Sequence, residues 1–191
     1  MENKLPVRKN IRLKNYDYSQ NGAYYITICA QGRLNIFGEI DEGISVGADL
    51  ASARANLNHA ACANLNHTAC VNLNHAGQMI EQIYIETISS FDDVVSDNYI
   101  VMPNHLHCIL SIRRADTRSA PTAAICNVVQ AFKSKTTVEY INGVKSGIFP
   151  PFNKRIWQRN YYEEIIRNEE RYREIWQYID ENPIRLNEGK R

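Results

Sequence analysis

The chain has 191 residues, 44% of them hydrophobic and 23% charged, and its formal net charge at pH 7 is +1. This length suits one compact domain with some decoration, and no apolar run approaches the roughly 20 residues that a membrane-spanning helix needs. Five scattered cysteines without a CxxC pair, and a basic polar N-terminus, argue against a secreted disulfide-linked protein or a membrane partner, so we expect a cytoplasmic protein.

The predicted elements, taken in chain order, mix strands and helices irregularly. Strands are expected at 24–30, 36–40, 98–102 and 105–113, with partly extended chain at 156–166. Helices are expected at 77–90, at 123–142 and from 168 to just before Pro183. Gly143 would end the second helix, and Asn168 would cap the last one. The order predicts an α+β fold with a ferredoxin-like (split βαβ) antiparallel sheet and helices on one face, not strict βαβ alternation.

An internal repeat precedes the first predicted helix. Asn-Leu-Asn-His occurs at 56–59, 64–67 and 72–75. Cys62 and Cys70 occupy equivalent places in successive units, which suggests zinc, but a zinc site needs its ligands directed to one point and outer contacts to hold them. We favour an exposed repeat insertion at about 46–70 within a single domain of residues 1–191. A structural metal protein built on the repeat remains the alternative.

Basic residues are concentrated in two parts of the chain. An N-terminal arm, residues 1–15, has five lysines and arginines against one acid, and a second cluster lies between 133 and 159. Patches of this kind bind phosphates, although ordinary charge scatter on a solvated surface explains them equally well. The candidate DNA contacts in the two segments are Arg8, Lys9, Arg12, Lys14, Lys133, Lys135 and Arg159.

Two histidines lie inside an apolar strand pattern. In a strand, residues two apart point to the same face, so His105 and His107 project side by side while Leu106 faces the core. Neutral imidazole is the commonest ligand for divalent metals, and two at this spacing form half of a metal site. Taken alone, satisfied surface histidines would explain the pattern as well as a metal site does.

Helix geometry separates two candidate nucleophiles among the tyrosines. The apolar stripe of the last helix is Tyr172, Ile175, Trp176 and Ile179. Tyr178 lies about 120° from the middle of that stripe, beside Arg171 and Asn182, so packing does not explain it. Tyr140 falls at the edge of the apolar stripe of the second helix, where packing does explain it. The other tyrosines in strand-like context suit either packing or base stacking: Tyr24, Tyr25, Tyr161 and Tyr162.

A tyrosine and a two-histidine metal site together suit phosphodiester transfer. A phenol has a pKa near 10 and needs help to act as a nucleophile, and a metal polarises the scissile phosphate. A covalent 5′-phosphotyrosine conserves the bond energy, so a 3′-hydroxyl can rejoin the strand without ATP. The amide oxygen of Asn182 could complete the coordination, because oxygen ligands suit Mg²⁺ and Mn²⁺.

Several spaced motifs carry a resemblance to a known family. Residues 102–107, Met-Pro-Asn-His-Leu-His, resemble the HUH motif of the single-tyrosine transposases. Trp-Gln-Arg-Asn-Tyr-Tyr-Glu at 157–163, Ile-Ile-Arg-Asn at 165–168, and Tyr178-Ile179 with Asn182-Pro183 are similar to the REP-associated tyrosine transposases. Residues 12–24 resemble the N-terminal signature of that branch, and Phe132-Lys133-Ser134 fits its second helix. The resemblance covers nearly the whole chain outside about 46–70.

The resemblance implies a metal-dependent HUH endonuclease that cleaves single-stranded DNA beside hairpins in palindromic repeats. His105 and His107 match the metal ligands, Tyr178 the nucleophile, and Asn182 a third ligand for Mg²⁺ or Mn²⁺. The DNA contacts would include Tyr161 and Arg171 as well as the basic residues named above. Such an enzyme would work at the nucleoid as a monomer or homodimer.

Two departures and one competing interpretation accompany this resemblance. Members often have histidine where this chain has Glu164, and the repeat insertion is foreign to the family pattern. The competing interpretation is a non-catalytic module that binds single-stranded DNA or RNA hairpins on aromatic side chains. Such a module would account for Tyr161, Tyr162 and the basic arm, but it would not require His105, His107 and Tyr178 together.

Overall fold

The computed structural model describes residues 21–42, 69–113 and 125–188. The strands are β1 (Gly22–Cys29), β2 (Gly38–Glu42), β3 (Ala69–Leu73), β4 (Val94–Met102), β5 (His105–Ile112) and β6 (Tyr162–Ile166). The helices are α1 (His75–Ser89), α2 (Ile125–Lys145), α3 (Glu169–Asp180) and α4 (Asn182–Glu188). The predicted basic arm, with Arg8, Lys9, Arg12 and Lys14, and most of the predicted repeat insertion lie outside the described residues.

The main sheet has four strands in the order β4-β5-β1-β6, and every neighbouring pair is antiparallel. The helix α1 connects β1 to the edge strand β4, and α2 connects β5 to the other edge strand, β6. This arrangement of two split βαβ units confirms the predicted α+β, ferredoxin-like fold. The hairpin of β2 and β3 forms a separate two-stranded sheet between β1 and α1.

Both faces of the main sheet are covered. Alternate residues of β1, such as Tyr24 and Ile26, belong to the larger hydrophobic core that includes residues of α1 and α2. Tyr25, between them, belongs to a smaller cluster with Ile175 and Ile179 of α3. The expectation that the helices share one face therefore holds for α1 and α2, while α3 lies on the opposite face. Within the described ranges, no helix has the length and apolar character needed to cross a bilayer.

The third repeat unit is part of the fold. Its Leu73 ends β3, and Asn74 is the N-cap of α1, where its side chain accepts a hydrogen bond from Gly77 N at 3.0 Å. The strand β3 begins at Ala69, so the last two residues of the predicted insertion, at about 46–70, lie in this strand. Asparagine is a favoured N-cap because its side-chain oxygen satisfies a backbone N–H that lacks a helical partner.

The prediction that Gly143 ends α2 was wrong. The helix continues to Lys145, and the glycine with a left-handed backbone is Gly147, at φ 72°. Gly143 serves a different purpose, since a Cβ at this position would overlap the ring of Phe149. A glycine in a helix can therefore mark a close approach of another chain segment as well as a helix end.

The last helical region begins as predicted and ends differently. Asn168 caps α3, with its Oδ1 accepting a hydrogen bond from Arg171 N at 2.8 Å. Ile175 and Ile179 are buried, but Trp176, which was expected in the core stripe, is 38% exposed. The chain turns at Glu181 and enters the short helix α4, which was not predicted.

Candidate metal and nucleophile site

The register of the sheet places the two histidines beside the central strand. His105 is paired with Cys29, and His107 with Thr27, whose other neighbour across the sheet is Tyr162. These side chains line a cleft of about 960 Å³ on the face of the sheet that carries α3. The cleft is thus formed by residues from strands that are far apart in sequence.

His105 and His107 have the predicted relation to each other. Their ring centroids are 4.4 Å apart, and Leu106 is fully buried in the larger core on the other face. His105 is half-buried, whereas His107 is buried beneath aromatic rings of the cleft itself. Both imidazoles nevertheless line the cleft.

The tautomer of His105 follows from its neighbour Asn104. The amide nitrogen of Asn104 donates to Asn35 Oδ1 at 2.8 Å and to Arg33 O at 3.3 Å, which fixes the orientation of the amide. Its oxygen, Oδ1, lies 2.6 Å from Nδ1 of His105. Because an amide oxygen only accepts, Nδ1 of His105 must donate. The lone pair is then on Nε2, which is the arrangement typical of a histidine that binds a metal.

Two hydroxyl groups lie beside Nδ1 of His107. Tyr25 Oη and Thr27 Oγ1 each lie 2.8 Å from Nδ1 of His107. When Nδ1 carries the proton, it donates to one of these hydroxyls, and Nε2 keeps its lone pair for a metal. Burial raises the pKa of Tyr25, so this hydroxyl stays protonated at neutral pH.

Both imidazoles are neutral at pH 7. Burial lowers the pKa of His105 to about 4. The nearby side chain of Asn182 raises this pKa to a smaller extent, and the positive charge of Arg33 lowers it further. Burial also holds the pKa of His107 well below its usual range, and His105 acts in the same direction. A neutral imidazole has the free lone pair that metal coordination requires.

Asn182 fits the role of a third ligand. Its side chain is buried, and within the described chain its Oδ1 has no hydrogen-bond partner. A buried amide oxygen without a partner costs about 1–3 kcal/mol, and a bound cation would remove this cost. Across 21–42, 69–113 and 125–188, no three His, Cys, Asp or Glu side chains are arranged to hold a metal. The donor set that fits is therefore two imidazoles and one amide oxygen, which are borderline and hard ligands respectively.

Tyr178 extends into the same cleft from α3. Its ring centroid lies 5.4 Å from that of His107 and 6.2 Å from that of Tyr25. The guanidinium of Arg185, on α4, lies 5.5 Å from the centre of the Tyr178 ring. Tyr140 is fully buried on the other side of the sheet, where its ring centroid lies 5.0 Å from that of Phe149. The geometric contrast between the two tyrosines is the one expected, while their chemical roles remain predictions.

Two of the predicted DNA contacts already bind other groups within the protein. Arg171 forms a bidentate ion pair with Glu164, at 2.7 and 3.0 Å, and a second pair with Glu174 at 2.9 Å. The ammonium of Lys133 donates to the carbonyl oxygens of Gln158 and Asn160, at 2.9 and 3.1 Å. The contacts that the structure gives Arg171 and Lys133 therefore stabilise the walls of the cleft, and a direct role in binding DNA stays a prediction.

The remaining predicted contacts differ in where they lie. Tyr161 lines the cleft, with Lys133 Nζ 5.6 Å from the centre of its ring. Arg159 is exposed, between two residues that line the cleft. Lys135 is exposed on α2 and does not line it.

Four further cleft residues escaped the sequence analysis as candidates for the site. Tyr25 and Thr27 contact His107, Arg185 contacts Tyr178, and Arg33 lines the cleft beside Asn104. Arg33 has a left-handed backbone, with φ 53°, which is uncommon for a residue with a side chain and often marks a functional position. Alternation along β1 would place Tyr25 and Thr27 on one face, but only the register with β5 brings them to His107.

Comparisons with known proteins identify a family for this chain. The model of the family described as "Transposase IS200 like" matches residues 68–182. A Haemophilus influenzae protein of uncharacterized function is 30% identical over 185 residues, which cover 93% of this chain and 88% of the relative. The chain belongs to the IS200-like transposases, a family of DNA-cleaving enzymes.

Two solved structures resemble the fold more distantly. One is a REP-associated tyrosine transposase bound to a REP hairpin, 17% identical, with a TM-score of 0.49 over 92% of this chain and 74% of that one. The other is a proposed transposase from Deinococcus radiodurans, 14% identical, with a TM-score of 0.41 over 88% of this chain and 95% of that one.

Proposed function

We propose that this transposase cuts and rejoins single-stranded DNA through a covalent 5′-phosphotyrosine formed on Tyr178. The observation that supports this most is the convergence of Tyr178 with His105 and His107, with only 5.4 Å between the Tyr178 and His107 rings. A phosphodiester group that reaches the histidines is therefore also within reach of the phenol. Tyr178 is 36% exposed, so its hydroxyl does not have to leave a closed core to react.

His105, His107 and Asn182 would hold a divalent cation, Mg²⁺ or Mn²⁺. When bound, the cation supplies Lewis-acid polarisation of a non-bridging phosphate oxygen. The support for these ligands is the assigned Nε2 lone pair of His105, the neutral state of both imidazoles, and the oxygen of Asn182, which has no partner among the described residues. Asn104 and the hydroxyls around His107 would hold the imidazole rings in the orientation that coordination needs.

The bond changes in the proposed reaction balance without an external energy source. The phenolic oxygen of Tyr178 attacks phosphorus in line, the new O–P bond forms, and the bond from phosphorus to the 3′ oxygen breaks. The phenol proton is lost, and the departing 3′ oxygen gains a proton to become a free hydroxyl. In the reverse direction a 3′-hydroxyl attacks the phosphotyrosine, which regenerates Tyr178 and rejoins the strand.

Two arginines that the sequence analysis missed support this reaction electrostatically. Arg185 places a positive charge 5.5 Å from the centre of the Tyr178 ring, close to where negative charge develops during attack. Arg33 lies at the histidine end of the cleft, where a guanidinium can contact a phosphate oxygen. Glu181 pairs with Arg185 and offsets part of its charge, so positive charge at the two positions favours an anionic substrate and its transition state most strongly at Arg33.

The substrate that we propose is hairpin or palindromic-repeat DNA. The support for this finer statement is the set of sequence motifs shared with the REP-associated tyrosine transposases, including residues 157–163. An open cleft that admits a flexible single strand also suits cleavage beside a hairpin.

A direct test incubates the protein with labelled single-stranded hairpin oligonucleotides and Mn²⁺, followed by a denaturing gel. The wild type is expected to give a cut strand and a slower-migrating protein–DNA adduct, and Tyr178→Phe is expected to give neither. Tyr140→Phe is the control, because it also removes one hydroxyl but at a buried position away from the cleft. Hairpin binding without any cleavage by the wild type, in Mn²⁺ or Mg²⁺, would instead support a non-catalytic binding module.

A further inference from the structure

Tyr162 has an exposed aromatic ring on the cleft side of the edge strand β6. Its side chain is 50% exposed, and the ring lines the cleft that contains His107 and Tyr178. Tyr162 belongs to neither hydrophobic core, unlike the neighbouring Tyr161, which packs against the larger one. Core packing therefore does not explain an aromatic residue at this position.

The ring of Tyr162 is held in place on two sides. Its edge contacts Tyr25, with the ring centroids 5.9 Å apart and the planes at 66°. Its hydroxyl donates to Glu164 Oε2 at 3.0 Å, and Glu164 is itself fixed by the bidentate ion pair with Arg171. An aromatic surface that is ordered before its ligand arrives loses little conformational entropy on binding.

Tyr162 is also better placed than Tyr161 to accept a planar ligand. The ammonium of Lys133 lies over the ring of Tyr161, 5.6 Å from its centre, and the same ammonium is fixed by two carbonyl oxygens. Half of the Tyr162 side chain, in contrast, is open to the cleft. Of these two tyrosines, Tyr162 therefore suits the stacking role better.

Sheet geometry fixes how far Tyr162 lies from the two histidines. Thr27 is paired with His107 on one side and with Tyr162 on the other, so the three residues form one row across the sheet. Two strand spacings separate the ends of this row, which is about 10 Å between the backbones. A nucleotide whose phosphate lies at the histidines can therefore place its own base, or that of its neighbour, on Tyr162.

We propose that Tyr162 is a stacking site for one unpaired nucleobase of single-stranded DNA, next to the phosphate that is cut. This inference rests on the proposed function, because it locates a base relative to that reaction. Every nucleobase has a flat face, so such a site adds affinity and positions the strand without selecting a sequence. Removing one stacking partner by substitution typically costs about 1–3 kcal/mol, which is about 5- to 150-fold in affinity.

The test compares two fluorescein-labelled single strands of equal length, oligo-dT and an abasic deoxyribose-phosphate oligomer. Their dissociation constants for the full chain are measured by fluorescence anisotropy in EDTA, so that cleavage does not consume the probes. The variants are Tyr162→Leu, Tyr162→Phe and Tyr162→Trp. Trp176→Leu is the control, since Trp176 is also exposed but does not line the cleft.

The wild type should bind oligo-dT more tightly than the abasic oligomer, and Tyr162→Leu should lose at least about fivefold of this preference. This preference should be kept in Tyr162→Phe, Tyr162→Trp and Trp176→Leu. Such a result would show that the loss is caused by removing the aromatic ring and not by a change in the fold. An unchanged preference in Tyr162→Leu, or an equal loss of affinity for both oligomers, would overturn the stacking site alone. A wild type that binds neither these oligomers nor a hairpin with a single-stranded tail would overturn the proposed function together with it.

Discussion

At the scale of single residues, His105 and His107 are oriented by different means. His105 is oriented by an amide, because Asn104 Oδ1 accepts from its Nδ1, and the same amide also contacts the turn at Arg33. His107 is oriented by the hydroxyls of Tyr25 and Thr27 on the neighbouring strand. Both rings are thus fixed by neutral groups, and no carboxylate adds charge beside them in these contacts. The groups that orient the two rings therefore add no charge of their own to the site.

The substitution His105→Ala should abolish metal-dependent cleavage and leave DNA affinity nearly unchanged. The reason is that affinity for a strand comes mainly from phosphate contacts and base stacking, whereas His105 contributes a lone pair to the cation. Gel cleavage assays and fluorescence anisotropy measure the two properties separately. His75→Ala is a matched control, because His75 is exposed at the start of α1, outside the cleft. Equal loss of cleavage and binding in His105→Ala would mean that His105 is structural.

At the scale of the elements, α3 is joined to the sheet by an ion-pair network as well as by packing. Glu164 on β6 pairs with Arg171 on α3, and Tyr178 lies two turns further along the same helix. The apolar contacts of α3 are few, mainly Ile175 and Ile179 against the smaller core. We therefore expect this ion pair to matter more for the position of Tyr178 in the cleft than for the stability of the domain.

We expect Glu164→Gln to reduce the rate of adduct formation by about tenfold to a hundredfold while lowering stability by less than about 1 kcal/mol. The ion pair is partly exposed and contributes little to folding, but a small displacement of the nucleophile is costly for the reaction. Single-turnover kinetics and urea denaturation measure the two effects. Glu169→Gln is the control, because its pair with Arg173 lies within α3 and is exposed on both sides. Equal effects of the two substitutions would contradict a positioning role for Glu164.

The glycine in α2 gives a second prediction at this scale. An alanine in place of glycine normally stabilises a helix by up to about 1 kcal/mol. Gly143→Ala should instead destabilise the protein by about 1–3 kcal/mol, because the added methyl overlaps the Phe149 ring. Urea denaturation measures the change in the free energy of unfolding. Gly147→Asn is the control, because asparagine tolerates the left-handed backbone at this position. A more stable Gly143→Ala would contradict this packing.

These elements also show what the sequence could predict. The period-2 pattern of β5 was sufficient to bring His105 and His107 to one face, and helical periodicity was sufficient to separate Tyr178 from Tyr140. Local patterns could not assign Gly143, because its partner Phe149 contacts it only after the chain has turned. They also missed Arg185 and the contact of Tyr25 with His107, since both depend on how distant segments pack.

At the scale of the whole molecule, a net charge of +1 hides an uneven distribution of charge around the cleft. Arg33, Arg171 and Arg185 line it, but Arg171 and Arg185 are paired with glutamates. The cleft therefore combines cations with acids that hold them in position. Single-stranded DNA bound there would release some of its counterions, although the surface of the cleft is not uniformly basic.

DNA affinity should fall steeply as salt increases. Arg159→Ala should reduce the slope of log affinity against log salt by about 0.7, the value for one lost phosphate contact on a single strand. Arg173→Ala removes the same charge from an exposed residue outside the cleft and should leave the slope unchanged. Anisotropy titrations at several salt concentrations measure both. A flat dependence for the wild type would count against DNA as the partner.

The central claim is that Tyr178 forms the covalent bond with DNA, and peptide mapping of the adduct tests it most directly. Trypsin cuts after Arg173 and Arg185, so peptide 174–185 contains Tyr178 and no other tyrosine. Tyr140 falls in peptide 136–145, and Tyr161 and Tyr162 fall in peptide 160–167. After the DNA is trimmed with nuclease, mass spectrometry should find the nucleotide on peptide 174–185 alone. A nucleotide on either of the other two peptides would contradict the assignment of Tyr178 as the nucleophile.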